Sequence, residues 1–466
     1  MMFVRYGATP LGYDTGFYWQ YFNLITNLGR IGEAIGTNHI AYISWFPFFF
    51  FGLSAVPTIN FLHITHQLLT FSALYFVLRS LPLKKYSMPV CVAGLFLMAI
   101  SINQFMAFWW MFYKQSMAIP FLLLALGLFL RRSWWTIPVV AFGAAIHLQP
   151  AIPFIIALTI YLIYQIFGSI IRKKPIDKEI LYIGLGGILA AGLLFLIKGP
   201  QDIKGHIDYF MHFKGMATGG YSWEIQQAKG LFLPFSTFGL NAIFYLPFAL
   251  IGLLKSPSWL LRNNHHKFLV VIFITIISII LSLFPFLYQN RSLILLDIFI
   301  IIFAAYPLVL FIQHSLREGW SGKFILVLFF AGSIIFSSRV IWNNQPQIYP
   351  DEIAELKTLQ NIRNKNDDYV MATSSIYTPW VFAYNNFEPT IAPGWLYWDK
   401  WNFPMWSEFW YGSNNQRKNE LLQLYDNKTI YLFIGKRQNI HPNLKNFLDT
   451  DKHFQQISSH IWRYSP

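Results

Sequence analysis

The sequence predicts an all-α polytopic membrane domain of about ten or eleven transmembrane helices, followed by a C-terminal α/β soluble domain. Three observations predict it: a composition poor in charge, a series of apolar runs close to membrane-spanning length, and an abrupt change of composition after Trp342. Hydrophobic residues make up 55% of the 466, aromatic residues 19% and charged residues 12%. Soluble domains carry about a quarter charged residues, so the natural solvent of this chain is a bilayer.

The apolar runs fall at about 58–78, 88–104, 113–130, 180–198, 231–254, 267–287, 291–313 and 323–342. Each approaches the roughly 20 residues that a helix needs to cross about 30 Å of hydrocarbon. Two shorter runs, 134–147 and 151–171, flank His147-Leu148-Gln149-Pro150 and read as a hairpin turning near Gln149.

Charge placement orients the spans. Arg79/Lys84/Lys85, Arg131/Arg132, Arg172/Lys173/Lys174/Lys178, Lys255/Arg262/Lys267 and Arg317/Lys323 set fourteen cations against Asp177, Glu179 and Glu318 in five connectors. These connectors hold eleven of the net +14, which makes them cytoplasmic by the positive-inside rule. From Asn343 to Pro466 twelve cations balance twelve acids, so no basic face remains for nucleic acid. Residues 1–57, the connector 199–230, the turn before Arg291 and the tail then fall on the non-cytoplasmic side.

The expected domains are 1–57, a first outer loop with interfacial helices; 58–342, the spans; and 343–466, a soluble outer domain. Ile40–Val56 is apolar, but Pro47, Pro57 and the short link to the next span favour an interfacial segment over a crossing. In the tail, 351–364 has helical character, while Tyr369–Thr373 and Thr429–Ile434 read as buried strands. Cys91, the single cysteine, excludes a disulfide framework.

Several polar residues gather on the outer side. The first loop, Gly12-Tyr13-Asp14-Thr15-Gly16-Phe17-Tyr18, places Asp14 where a helix N-cap belongs. Lys114, His147 and Arg291 stand at outer ends of spans, where an ionisable side chain is costly and often functional, although a long cation there can simply snorkel to the interface. The connector 199–230 carries Lys198 at its edge, then Asp202, Lys204, His206, Asp208, His212, Lys214 and Glu224 around Gly219-Gly220. It reads either as a lid over a site or as a solvated loop. His206 and Asp208 lack a diagnostic metal spacing, and no cofactor motif is present, so a divalent metal stays open. Five tryptophans, Trp395, Trp398, Trp401, Trp406 and Trp410, suit packing or interfacial docking.

The order of these pieces resembles the GT-C superfamily of integral membrane glycosyltransferases. The pieces are the Asp14 loop, Trp45-Phe46-Pro47, Tyr113-Lys114-Gln115 opening a span that ends in Arg131-Arg132, the His147-Leu148-Gln149-Pro150 turn, Gln289-Asn290-Arg291, and the outer C-terminal domain. The resemblance implies transfer of a sugar from a polyprenyl-phosphate donor to an envelope acceptor on the outer face of the plasma or inner membrane, with inversion. It implies Asp14 as catalytic base and Tyr13, Lys114, His147, Arg291 and Glu224 as substrate-binding residues. The chain departs from the pattern where Lys114 replaces a common Arg, and where a span expected before the Asp loop is not in the sequence. Two other readings are a polysaccharide polymerase or ligase, disfavoured because 199–230 has no arginine, and a lipid or sugar transporter, which inverted repeats or broken midplane helices would favour.

Overall fold

A computed structural model describes Gly12, Thr15, Gly16, Tyr18, Trp19, Phe22, Ser44, Trp45 and Phe48 among the first fifty residues. It then describes 51–83, 86–173, 175–197, 235–262, 266–283, 289–362, 367–374, 376–385, 390–393 and 400–466. Among the described residues from 51 on, twelve α-helices precede the C-terminal domain: α1 (Ala55–Ser80), α2 (Ser87–Ile100), α3 (Ile102–Trp109), α4 (Tyr113–Leu130), α5 (Thr136–Ile146), α6 (Leu148–Arg172), α7 (Lys178–Ile197), α8 (Phe235–Asn241), α9 (Leu246–Arg262), α10 (Leu269–Leu283), α11 (Gln289–Arg317) and α12 (Gly319–Asn343). Among the described residues six helices are long and apolar enough to cross a membrane, or seven if the bent pair α2 and α3 is one span. Apolar helices at Thr136–Ile146 and Leu246–Ser256 are shorter than that length. The chain is thus a multi-pass membrane protein, and the expected ten or eleven spans are met in part.

Contacts between connectors establish that the bundle has two distinct ends. Arg131 Nε donates to Ser80 Oγ at 2.9 Å, joining the end of α4 to the end of α1. Arg132 meets Asp177 at 2.8 Å, tying the α4–α5 connector to the α6–α7 connector, and Lys267 Nζ donates to the Leu130 carbonyl. At the opposite end His147, before α6, reaches Arg291 in the first turn of α11. There too Trp109 Nε1 donates to the Gln345 carbonyl at 3.3 Å, placing the exit of α12 beside the α3–α4 turn.

Two local departures from the sequence expectation have simple causes. The run 88–104 is a single apolar stretch, yet it bends by 53° between α2 and α3. Ser101 there is extended, and its Oγ accepts from Gln104 N at 3.1 Å, so the side chain caps a new helix where the old one stops. The α5–α6 turn falls at His147, with φ −155°, and not at Gln149. Pro150 is in the first turn of α6, where its missing N–H costs no helical hydrogen bond.

The C-terminal domain comprises α13 (Pro350–Ile362), β1 (Tyr369–Ala372), α14 (Thr378–Asn385), β2 (Thr390–Ile391), α15 (Phe403–Tyr411), α16 (Asn415–Gln423), β3 (Ile430–Phe433), α17 (Pro442–Thr450), β4 (Phe454–Gln456) and β5 (Ile461–Tyr464). Its sheet runs β2-β1-β3-β5-β4. The pairs β1–β2 and β1–β3 are parallel, while β3–β5 and β5–β4 are antiparallel. All four side chains of β3 are buried, as expected of a central strand covered on both faces. Trp401, Trp406 and Trp410 are buried beside Phe409 and Phe447 and form the domain's core. Trp395 and Trp398 lie outside the described residues. Glu352 Oε2 accepts from Tyr349 N and Oε1 from Lys436 N, both at 2.6 Å, which closes the start of α13 onto the segment after β3. Burial outweighs these bonds and raises the Glu352 carboxyl above its ordinary pKa.

Candidate active site

The end of the bundle opposite the basic connectors is built around Tyr113, the first residue of α4. Its ring is buried. Its hydroxyl accepts from Trp45 Nε1 at 2.8 Å, and Tyr18 and Trp45 pack on the ring with centroids 5.2 and 5.7 Å away. His66 of α1 meets the same ring edge-on at 4.9 Å. Two residues before Tyr113, Met111 has φ 56°, a left-handed conformation that costs a non-glycine residue about 1 kcal/mol or more.

The first loop is clamped from two sides. A Cβ at Gly12 would stand 2.1 Å from the Trp109 carbonyl oxygen, and one at Gly16 would stand 2.3 Å from the Pro379 carbonyl oxygen. Only glycine permits such backbone approach. Trp380 Nε1 donates to the Gly12 carbonyl at 3.2 Å, and Trp19 meets Tyr384 edge-on at 5.1 Å. The loop that carries Asp14 is therefore held between the α3–α4 turn and α14 of the C-terminal domain. Tyr13, Asp14 and Glu224 themselves lie outside the described residues.

His147 and Arg291 come together although 144 residues separate them. Arg291 Nη1 is 3.3 Å from His147 Nε2. A guanidinium can only donate, so His147 Nε2 is the acceptor in this contact and its proton is on Nδ1. Arg291 Cζ lies 5.1 Å from the Phe112 ring centroid, a cation–π distance. Gln115 Nε2 donates to the Arg291 carbonyl at 2.7 Å, locking α4 to α11. Gln115 Oε1 is buried with no hydrogen-bond partner. Lys114 is half-buried in the first turn of α4. The three ionisable residues expected at the site thus occupy the N-terminal turns, or the residue just before them, of α4, α6 and α11.

Their position runs against helix electrostatics. A helix N-terminus carries about half a positive charge, so a cation there loses roughly 0.3–1 kcal/mol where an acid would gain it. None of the three first turns contains an acid. Three positive helix ends meet here, with the Arg291 guanidinium against the His147 imidazole and Lys114 in the first turn of α4, an arrangement that suits an anion.

Sequence reading missed a second polar cluster, deeper in the bundle. Asp297 of α11 is buried, with Oδ1 accepting from Tyr245 OH at 2.5 Å and Asn103 Nδ2 at 3.0 Å. Its Oδ2 accepts from Ser101 Oγ at 2.7 Å and Gln104 Nε2 at 3.0 Å. Asn241 Nδ2 extends the network through Asn103 Oδ1 at 3.1 Å. The signal available was a lone acid in the long apolar helix α11, opposite the Ser101-Ile102-Asn103-Gln104 run. Asp297 fixes α11 to the break in α2–α3 about 9 Å along the helix axis from Arg291, at 1.5 Å per residue. The break resembles the broken helices that transporters use, but here its polar groups are turned onto Asp297. Among the described residues no three metal-ligating side chains gather; His206 and Asp208 lie outside them.

No protein-family model matches this chain, and no curated protein matches it. Solved structures share its fold, among them two of one protein. The Archaeoglobus fulgidus oligosaccharyltransferase in its apo form aligns with a TM-score of 0.58 at 11% identity, over 91% of this chain and 66% of that one. The same protein in complex with Zn and sulfate aligns with a TM-score of 0.57 at 14% identity, over 91% and 64%. The chain spans about two thirds of the length of that protein. At these identities the likeness shows a shared fold, in line with the expected resemblance.

Proposed function

We propose that the protein is a GT-C-type membrane glycosyltransferase that moves a sugar from a polyprenyl-phosphate donor to an envelope acceptor on the non-cytoplasmic face of the plasma or inner membrane. The observation that carries this reading is the meeting of three helix N-termini that bear Lys114, His147 and Arg291, where helix dipoles disfavour the Lys114 and Arg291 cations and the imidazole of His147 lies against Arg291. A bound phosphate would reverse that penalty. The site lies at the end of the bundle, where a lipid headgroup is presented, and opposite the basic connectors that the positive-inside rule assigns to the cytoplasm.

In this reading the acceptor hydroxyl attacks the anomeric carbon while the bond from that carbon to the phosphate oxygen breaks. Asp14 takes the hydroxyl proton as general base. The polyprenyl phosphate leaves as an anion, so it needs compensating charge and donors more than a proton. Arg291 grips two of its oxygens in a fork, Lys114 supplies a point charge, and His147 offers its N–H. Tyr13 and Glu224 border the sugar. In this reading the domains are the loop of 1–57, the spans of 58–342 and the outer domain of 343–466, whose α14 holds the Asp14 loop in place.

The test is a transfer assay with purified protein and a labelled polyprenyl-phosphate sugar, comparing wild type with Asp14→Asn. Transfer by the wild type and its loss in the variant support the reading. Unimpaired transfer by Asp14→Asn removes Asp14 from the mechanism, and lipid movement without transfer favours a transporter.

A further inference from the structure

The connector end of the bundle contains a cavity of about 310 Å³ that the proposed reaction does not use. Leu83, Gly252, Lys255, Ser256, Tyr306 and Leu310 are among the residues that line it. Its origin is a close crossing of α9 and α11: a Cβ at Gly252 would stand 2.1 Å from the Phe303 carbonyl oxygen. The cavity opens along the turns that follow this contact in both helices, Lys255–Ser256 in α9 and Tyr306–Pro307 in α11.

Most of the wall is apolar, and the volume far exceeds the roughly 30 Å³ that one water occupies in the liquid. Water would find few partners there: Ser256 Oγ already donates to the Leu253 carbonyl at 3.0 Å, and the Tyr306 ring packs against Tyr86 with centroids 5.6 Å apart. The fluid at hand inside a bilayer is lipid. One charged side chain, Lys255, stands in the lining and is exposed. The five connectors at this end carry eleven of the chain's fourteen net positive charges, so the local field selects anions.

We infer that this cavity binds an anionic phospholipid from the leaflet facing the basic connectors, with an acyl chain in the apolar cleft and the phosphate at Lys255. The site is independent of the proposed transfer chemistry and lies at the other end of the bundle from Arg291. Native mass spectrometry of the purified full chain, equilibrated with equimolar phosphatidylglycerol and phosphatidylcholine, reads it directly. Wild type should retain phosphatidylglycerol preferentially. Lys255→Gln should lower that preference about fivefold, the effect expected of one cation near an anionic headgroup. Lys255→Arg should preserve it, and Ile251→Trp, which fills the cleft, should lower retention of both lipids. Equal retention of the two lipids by wild type overturns the inference. So does an unchanged preference in Lys255→Gln, or undiminished retention in Ile251→Trp.

Discussion

Cations stand at both ends of the helical bundle, but in opposite electrostatic settings. At the connector end Arg79, Arg131, Arg172, Arg262 and Arg317 are at or beside the C-termini of α1, α4, α6, α9 and α11. Helix dipoles favour positive charge there, and the described contacts are local ties: Arg132 to Asp177, Arg131 to Ser80, Lys267 to Leu130. At the other end Lys114, His147 and Arg291 stand at N-termini, and Arg291 lies against an imidazole. The first arrangement is what folding and orientation require. The second works against the local field, and an anion bound there, as proposed, would supply the missing compensation. A cation therefore has to be read together with the helix end it occupies.

The sharpest way to break this comparison is Asp14→Asn. A general base contributes about 10²–10⁴-fold, so transfer should fall by roughly that factor with the protein still folded; a smaller loss places the base elsewhere. Arg291→Lys keeps the charge but loses the fork, and transfer should drop about a hundredfold, with a raised KM for the donor. Arg131→Lys, at the connector end, should leave the rate unchanged.

Asp297→Ala probes the scaffold beneath the site. It removes four interhelical hydrogen bonds, worth on average about 0.6 kcal/mol each inside a membrane protein. A destabilisation of about 2–3 kcal/mol should appear in thermal unfolding in detergent, and no change would show that the network is dispensable.

The smallest expected effect lies in the C-terminal domain. Burial pushes the Lys418 ammonium from 10.5 down to about 8, even though its Nζ donates to the Asn443 carbonyl at 3.0 Å. Between those two values the unfolded chain holds more protons than the folded one, so stability rises with pH across that window. Lys418→Met should flatten the slope, measured as the change in Tm between pH 7.5 and 9.5.

Much of the fold was legible because membrane burial leaves long apolar runs, and because the cations that end those runs mark one face. The strands at 369–372 and 430–433 were readable as short apolar stretches among polar ones. His147 and Arg291 were found as ionisable residues at span ends. The Asp297 network was not, since its members come from α2–α3, α8, the turn between α8 and α9, and α11, and meet only on folding. Ser101 breaks its helix without a proline or glycine to announce it. The grip of Pro379 and Trp380 on the first loop joins segments more than 360 residues apart, and no local pattern encodes that.

The most direct test of the account is equilibrium binding of a sugar-free polyprenyl phosphate to the purified protein in nanodiscs. The account predicts that Arg291→Ala weakens binding at least tenfold, while Lys267→Ala, at the connector end, leaves it unchanged. Equal losses for the two variants, or none for either, would contradict it.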